Sequence, residues 1–155
     1  MDENLERIKK NSEELYRLYQ EGKELRISNN TLASLLLSAI EEASNYFIEL
    51  LLSKCENPTL RRNISTRIYN RLEIKYELFL AIYYTIQNYD VETIIERVKQ
   101  LSSKWLNIRR YYIDVSDEDL NEIETYYSKC LEIEKVILEL NKDESCDILN
   151  TLVQM

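Results

Sequence analysis

Gly22 is the only glycine and Pro58 the only proline in a chain of 155 residues. The tight turns of a β-sandwich or barrel, and any glycine-rich phosphate loop, therefore have almost nothing to be made from. Helices remain, and an all-α fold is expected. A chain of this length builds one domain that buries about two thirds of its unfolded surface. With 45% hydrophobic and 31% charged residues, the composition is that of a globular chain. The expected division is an acidic, helical or mobile N-terminal segment over 1–28 and a helical domain over 29–155.

The longest uncharged run, Ile27 to Ile40, is too short and too polar at its start to cross a bilayer. The N-terminus carries no apolar stretch of signal-peptide type, so a cytoplasmic location with no membrane partner is expected. Cys55, Cys130 and Cys146 are odd in number and form no CxxC pair, which predicts reduced thiols and no metal site. The chain has no histidine, which excludes His-based acid–base catalysis, Ser-His or Cys-His nucleophiles and ordinary zinc sites. Acids are abundant on every predicted helix surface, and no catalytic pair stands out.

Along the chain, Leu5, Ile8, Leu15 and Leu18 have loosely helical spacing, with Gly22 as a helix stop. Asn30 or Thr31 caps a stronger helix whose Leu32, Leu35, Leu36, Ala39, Ala43, Phe47 and Leu50 recur at three- and four-residue steps. Asn57-Pro58 starts another helix, carrying Ile64 and Ile68. Leu78 to Ile86 form an apolar helix ending near Gln87-Asn88. Asp90 caps the next, with Val91, Ile94, Ile95 and Val98 as its buried stripe. A polar segment at Ser102-Ser103 then leads into Trp105 to Tyr112, which shows no clear period. Ser116 and Asp119 open the last long helix as an acidic capping box. Ile148 to Val153 make a final helical turn or a docking peptide.

Charge is distributed unevenly. Eleven of the 20 lysines and arginines fall between Lys54 and Arg110 with only six acids, a balance of +5 in a chain whose net charge is −8. Such asymmetry marks either a solvated face or a site for a polyanion or nucleotide. Read as one helix, Arg67, Arg71 and Lys75 lie four residues apart and form a cationic stripe along which a phosphate chain could lie. Arg109 and Arg110, flanked by Trp105, Tyr111 and Tyr112, offer stacking faces and forked donors for an unstacked nucleotide. The competing reading buries Trp105 and lets the arginines snorkel outward. Three or four charge-assisted hydrogen bonds contribute roughly 5–10 kcal/mol, whereas association costs an estimated 4–15 kcal/mol. Such a site needs completion by a neighbouring subunit or a template.

The segments LEIKYELFLAIYYTIQNYD, VETIIERVKQ, LSSKW and LNIRRYYIDV, covering Leu72 to Val115, resemble the C-terminal domain of the large subunit of archaeal and eukaryotic DNA primase. In that family a cysteine of a Pro-Pro-Cys segment ligates an iron–sulfur cluster; here the equivalent place reads Asn57-Pro58-Thr59, and three cysteines cannot supply four ligands. No cofactor is expected. The combination is similar to a small, noncatalytic third subunit of some archaeal primases. The resemblance implies binding of the initiating nucleoside triphosphate and single-stranded DNA template to promote primer synthesis. Its implied partners are the catalytic and large primase subunits, in a heterotrimer. Carried over by position, it implies Arg71 and Lys75 as triphosphate contacts, Asn107, Arg109 and Arg110 as the basic motif, and Trp105 and Tyr111 as base or template contacts. An alternative resemblance, carried by NIRRYYIDVSDEDLNEIETYY, is to the helical domain of the GINS replication adaptor. A helical ribonuclease toxin is disfavoured by the lack of histidine.

Overall fold

The computed structural model describes residues 2–111 and 114–154, which form eight helices and no strand. These are α1 (Glu3–Glu24), α2 (Asn29–Lys54), α3 (Pro58–Arg67), α4 (Leu72–Ile86), α5 (Val91–Tyr111), α6 (Asp117–Tyr127), α7 (Cys130–Glu139) and α8 (Lys142–Val153). The most apolar stretch of the sequence becomes the axis of the molecule: α2 packs against α1, α4, α5, α6, α7 and α8. Leu36, Leu37, Ile40, Phe47, Ile48 and Leu51 of α2 are all 1% exposed or less, and burying each such side chain stabilises the fold by about 1.5–3 kcal/mol.

Short polar side chains set where the helices begin. Ser28 accepts a hydrogen bond from the Thr31 N–H, so α2 starts before Asn30 and Thr31, the expected caps. Asn57 is extended (φ −135°, ψ 108°) ahead of Pro58 and accepts from the Leu60 N–H. Asp90 accepts from the Thr93 N–H at 2.9 Å. Ser116 with Asp119 and Asn141 with Glu144 form reciprocal capping boxes. Each cap contributes about 1 kcal/mol.

Gly22 is not the stop of α1. It lies buried within the helix, and a Cβ there would come 2.6 Å from Ile27 Cδ1 and 3.1 Å from Leu32 Cδ2. Its missing side chain lets the connection to α2 fold back closely. The reversal itself is made by Arg26, which takes the left-handed conformation (φ 57°) while the Ile27 N–H bonds back to the Gly22 carbonyl.

Three further expectations change in the structure. The region from Ser102 onward continues α5, because the buried Ser102 turns its hydroxyl back to the Lys99 carbonyl. Val98, Ser102, Trp105 and Ile108 then form one buried stripe in which a small polar residue hides the helical period. The start of that helix is less buried than its pattern suggests: Val98 is 8% exposed, but Ile95 is 52% and Val91 71% exposed. The last long helix is broken into α6 and α7 by a turn at Ser128-Lys129, and the expected final turn over Ile148 to Val153 is the C-terminal half of a separate helix, α8, capped by Asn141.

Cys55 and Cys146, expected as reduced thiols, are joined in a disulfide with Cα atoms 5.3 Å apart. The reason is tertiary. α8 packs on both α2 and α3, which brings Cys146 to the C-terminal cap of α2 across 91 residues of sequence. Cys130 is the free cysteine, and burial pushes its thiol pKa well up. Alkylation of the unfolded, unreduced protein should therefore label one thiol, against three after reduction. Closing so long a loop restricts the unfolded chain by about 4.6 kcal/mol, so reduction should lower the denaturation midpoint markedly. Three labels without reductant would contradict the pairing.

Candidate functional site

The cationic stripe does not survive folding as one helix. Arg67 is the last residue of α3, Arg71 is the extended residue preceding α4, and the Arg71 N–H closes a turn onto the Ile68 carbonyl at 2.9 Å. Lys75 turns inward and is 7% exposed, with Nζ 6.0 Å from the centre of the Tyr69 ring. Burial lowers its pKa, opposed by Glu41 and Glu42 of α2. Arg67 and Arg71 remain exposed. The break falls between Arg67 and Leu72, and α4 begins after Arg71 without a side-chain cap.

Trp105 is wholly buried and presents no face to a base. Its ring meets Tyr76 edge-on at 5.6 Å and Tyr126 at 5.4 Å, joining α4, α5 and α6. Its Nε1 is among the few buried polar atoms with no hydrogen-bond partner. The packing reading therefore holds for Trp105. Asn107, Arg110 and Tyr111 are exposed, Tyr111 at 70%. Tyr112 lies outside the described residues.

Arg109 is held by α2: its Nε donates to Glu41 Oε2 at 3.0 Å and its Nη2 to Ser38 Oγ at 3.1 Å. The same Glu41 oxygen accepts from the Tyr76 hydroxyl at 2.7 Å. Burial and then the Glu41 charge push the Tyr76 phenol far up, so it stays a donor. Glu41 was not anticipated as part of this cluster. Its signal is the Glu41-Glu42 pair interrupting the most apolar run of the sequence, since buried carboxylates require partners.

Glu41 also fixes how the two cationic groups lie. Residues 87–90 connect α4 to α5, and the two helices pack as an antiparallel hairpin. Because Tyr76 and Arg109 reach one oxygen, the second turn of α4 is level with the last turn of α5. Arg71 and the pair Arg110-Tyr111 thus occupy the same end of the hairpin, and the α3–α4 turn brings Arg67 toward that end.

Much of the remaining basic excess works inside the fold. Lys54 Nζ donates to the Ile137 and Leu140 carbonyls at 2.6 and 2.7 Å, capping α7. Arg61 pairs with Glu49 at 3.3 Å, and Lys104 with Asp119 at 2.8 Å. The Arg97 guanidinium lies 4.9 Å from the centre of the Tyr89 ring. The four principal cavities are lined by none of the eight residues singled out from sequence. What stays available to a polyanion is an open surface with Arg67, Arg71, Arg110 and Tyr111, not an enclosed pocket. Among the described residues there is no group of histidine, cysteine, aspartate or glutamate side chains suited to a metal ion.

Two adjacent arginines should accordingly behave differently. Arg109→Ala leaves Glu41, whose side chain is 13% exposed, with one fewer charged partner and should cost about 1–2 kcal/mol in denaturant unfolding. Arg110→Ala should stay within about 0.5 kcal/mol of the parent. Equal costs would contradict the assignment. Comparison with protein families, with curated proteins and with solved structures finds no match to this chain.

Proposed function

We propose that this chain is a noncatalytic, helical nucleotide- and DNA-binding subunit of a primase complex, engaging phosphates through Arg67, Arg71 and Arg110. The observation that carries the reading is the exposure of these arginines at one end of the α4–α5 hairpin, with Tyr111 beside Arg110 as a stacking surface. The likeness of Leu72 to Val115 to the C-terminal domain of the primase large subunit supplies the more specific part. In this reading Arg109, Lys75 and Trp105 shape the site from behind. Arg109 and Lys75 meet the acids of α2, and Trp105 fixes the α4–α5 spacing.

An open surface with three guanidinium groups suits a phosphate backbone better than a single nucleotide, because it offers charge without enclosure. Affinity of the isolated chain is then weak and steeply salt-dependent. Two-metal phosphoryl transfer belongs to the catalytic partner, and the chain described here contributes position.

Arg71→Glu combined with Arg110→Glu should weaken binding of labelled single-stranded DNA by about tenfold or more at low salt and flatten the salt dependence by roughly two phosphate contacts. Within an assembled primase, the same variant should lose primer initiation and retain extension of a preformed primer. Unchanged DNA affinity would overturn the reading, and equal loss of initiation and extension would overturn its primase form.

A further inference from the structure

A second feature of the molecule lies along the same α4–α5 hairpin, with Arg71 within electrostatic reach of its rim residue Glu77. Between the α4–α5 hairpin and the α7–α8 pair runs a half-open groove of about 610 Å³. Its walls are aliphatic, with Ile82 from α4, Ile94 and Ile95 from α5, Val136 and Leu140 from α7 and its C-terminal cap, and Ile148 from α8. The apolar α5 wall is Ile94, Ile95 and Val98, the continuation of a stripe that starts at Val91, has the spacing of a buried helix face and yet leaves Ile95 52% and Val91 71% exposed. Leu138, on the neighbouring α7, is 50% exposed. A stripe patterned for burial that the chain itself leaves uncovered marks an interaction surface.

The shape and charge of the groove select its occupant. Glu77 to Thr85 of α4 border it over about 12 Å, the rise of two helical turns. Its charged rim consists of Glu77 on α4, Lys99 on α5 and Asp147 on α8. Arg71, just beyond the rim, and then Lys99 on it both offset Glu77, and the lining holds no further cation to meet Asp147. Beyond the rim, Glu139, Asp143 and Glu144 are exposed with Lys142 the only cation among them. An anionic amphiphile such as a fatty acid finds no free cation at this rim. A second copy of a chain with net charge −8 would bring like charge against like. We infer that the groove receives an amphipathic α-helix of a partner protein, with an apolar stripe at i, i+3, i+4 and i+7 and lysine or arginine on its flanks.

The inference is independent of the phosphate-binding reading, and a synthetic helix tests it on the full chain. The probe is a labelled peptide with leucines at those four positions and lysines on its flanks, compared with a scrambled version and one with glutamates for lysines. The basic helix should bind saturably and the other two should not. Ile95→Glu should weaken binding about tenfold even though the added negative charge would strengthen any nonspecific attraction. Ile95→Ser, which keeps the charge unchanged, should weaken it in the same direction, and Asp147→Lys should weaken it several-fold. Leu25→Glu, at a residue 78% exposed beside the α1–α2 connection, should leave affinity unchanged. Far-UV circular dichroism establishes that each variant is folded. Equal affinity across these variants, or equal binding of the glutamate peptide, would overturn the inference. So would a dimer in light scattering that Ile95→Glu dissolves, or Ile95-dependent uptake of a labelled fatty acid without binding of the helix.

Discussion

Burial of α2 is the constraint on which the rest of the structure depends. Six helices pack around it, and it carries acids into their midst, so those helices must supply countercharges and donors. Glu41 takes the Tyr76 hydroxyl from α4 and the Arg109 guanidinium from α5. Glu49 takes the Tyr69 hydroxyl and pairs with Arg61 of α3. Ser44 donates to the Lys75 carbonyl at 3.1 Å. Around Glu41 and Ser44 the surroundings make such contacts costly to leave unmade, so polar recognition as well as apolar area sets how α4 and α5 dock on the axis.

This accounts for much of the charge asymmetry of the sequence. The basic middle third is in part the complement of acids on α2 and α6, the helices on either side of it in the chain. Lys75 and Arg109 lie near Glu41, Arg61 beside Glu49, and Lys104 beside Asp119. Lys54 is used to cap a helix, and Arg97 lies against tyrosine rings. The surplus that remains at the surface is smaller than the segment balance suggests, and it includes Arg62 and Arg67 of α3, Arg71 before α4 and Arg110 near the end of α5.

Local chemistry was legible in the sequence where a single residue decides it. Scarcity of glycine and proline predicted an all-α chain, and Asn57-Pro58, Asp90 and Ser116 with Asp119 marked helix starts that the structure contains. Long-range events were not legible. The break between Arg67 and Leu72 carries neither glycine nor proline, and α4 starts without a side-chain cap, so no local signal marks it. The Cys55–Cys146 bridge depends on α8 folding back onto α2, and the partners of Arg109 lie 68 and 71 residues away. Ser102 obscured the period of α5 because a small buried serine looks like a linker residue. Arg67 and Arg71 of the sequence stripe stayed at the surface, as did Tyr111, whereas Lys75 and Trp105 became core.

Trp105 is the only tryptophan, and it lies at the centre of the account: a residue read either as a stacking platform or as the packed junction of α4, α5 and α6. Quenching of its fluorescence by acrylamide measures this directly. Blue-shifted emission that acrylamide barely quenches, unchanged by saturating single-stranded DNA or nucleoside triphosphate, is the expected result. Solvent-like emission, ready quenching, or a ligand-dependent shift would show that Trp105 faces the ligand, and the division between cations that hold the fold and cations that meet phosphate would fail.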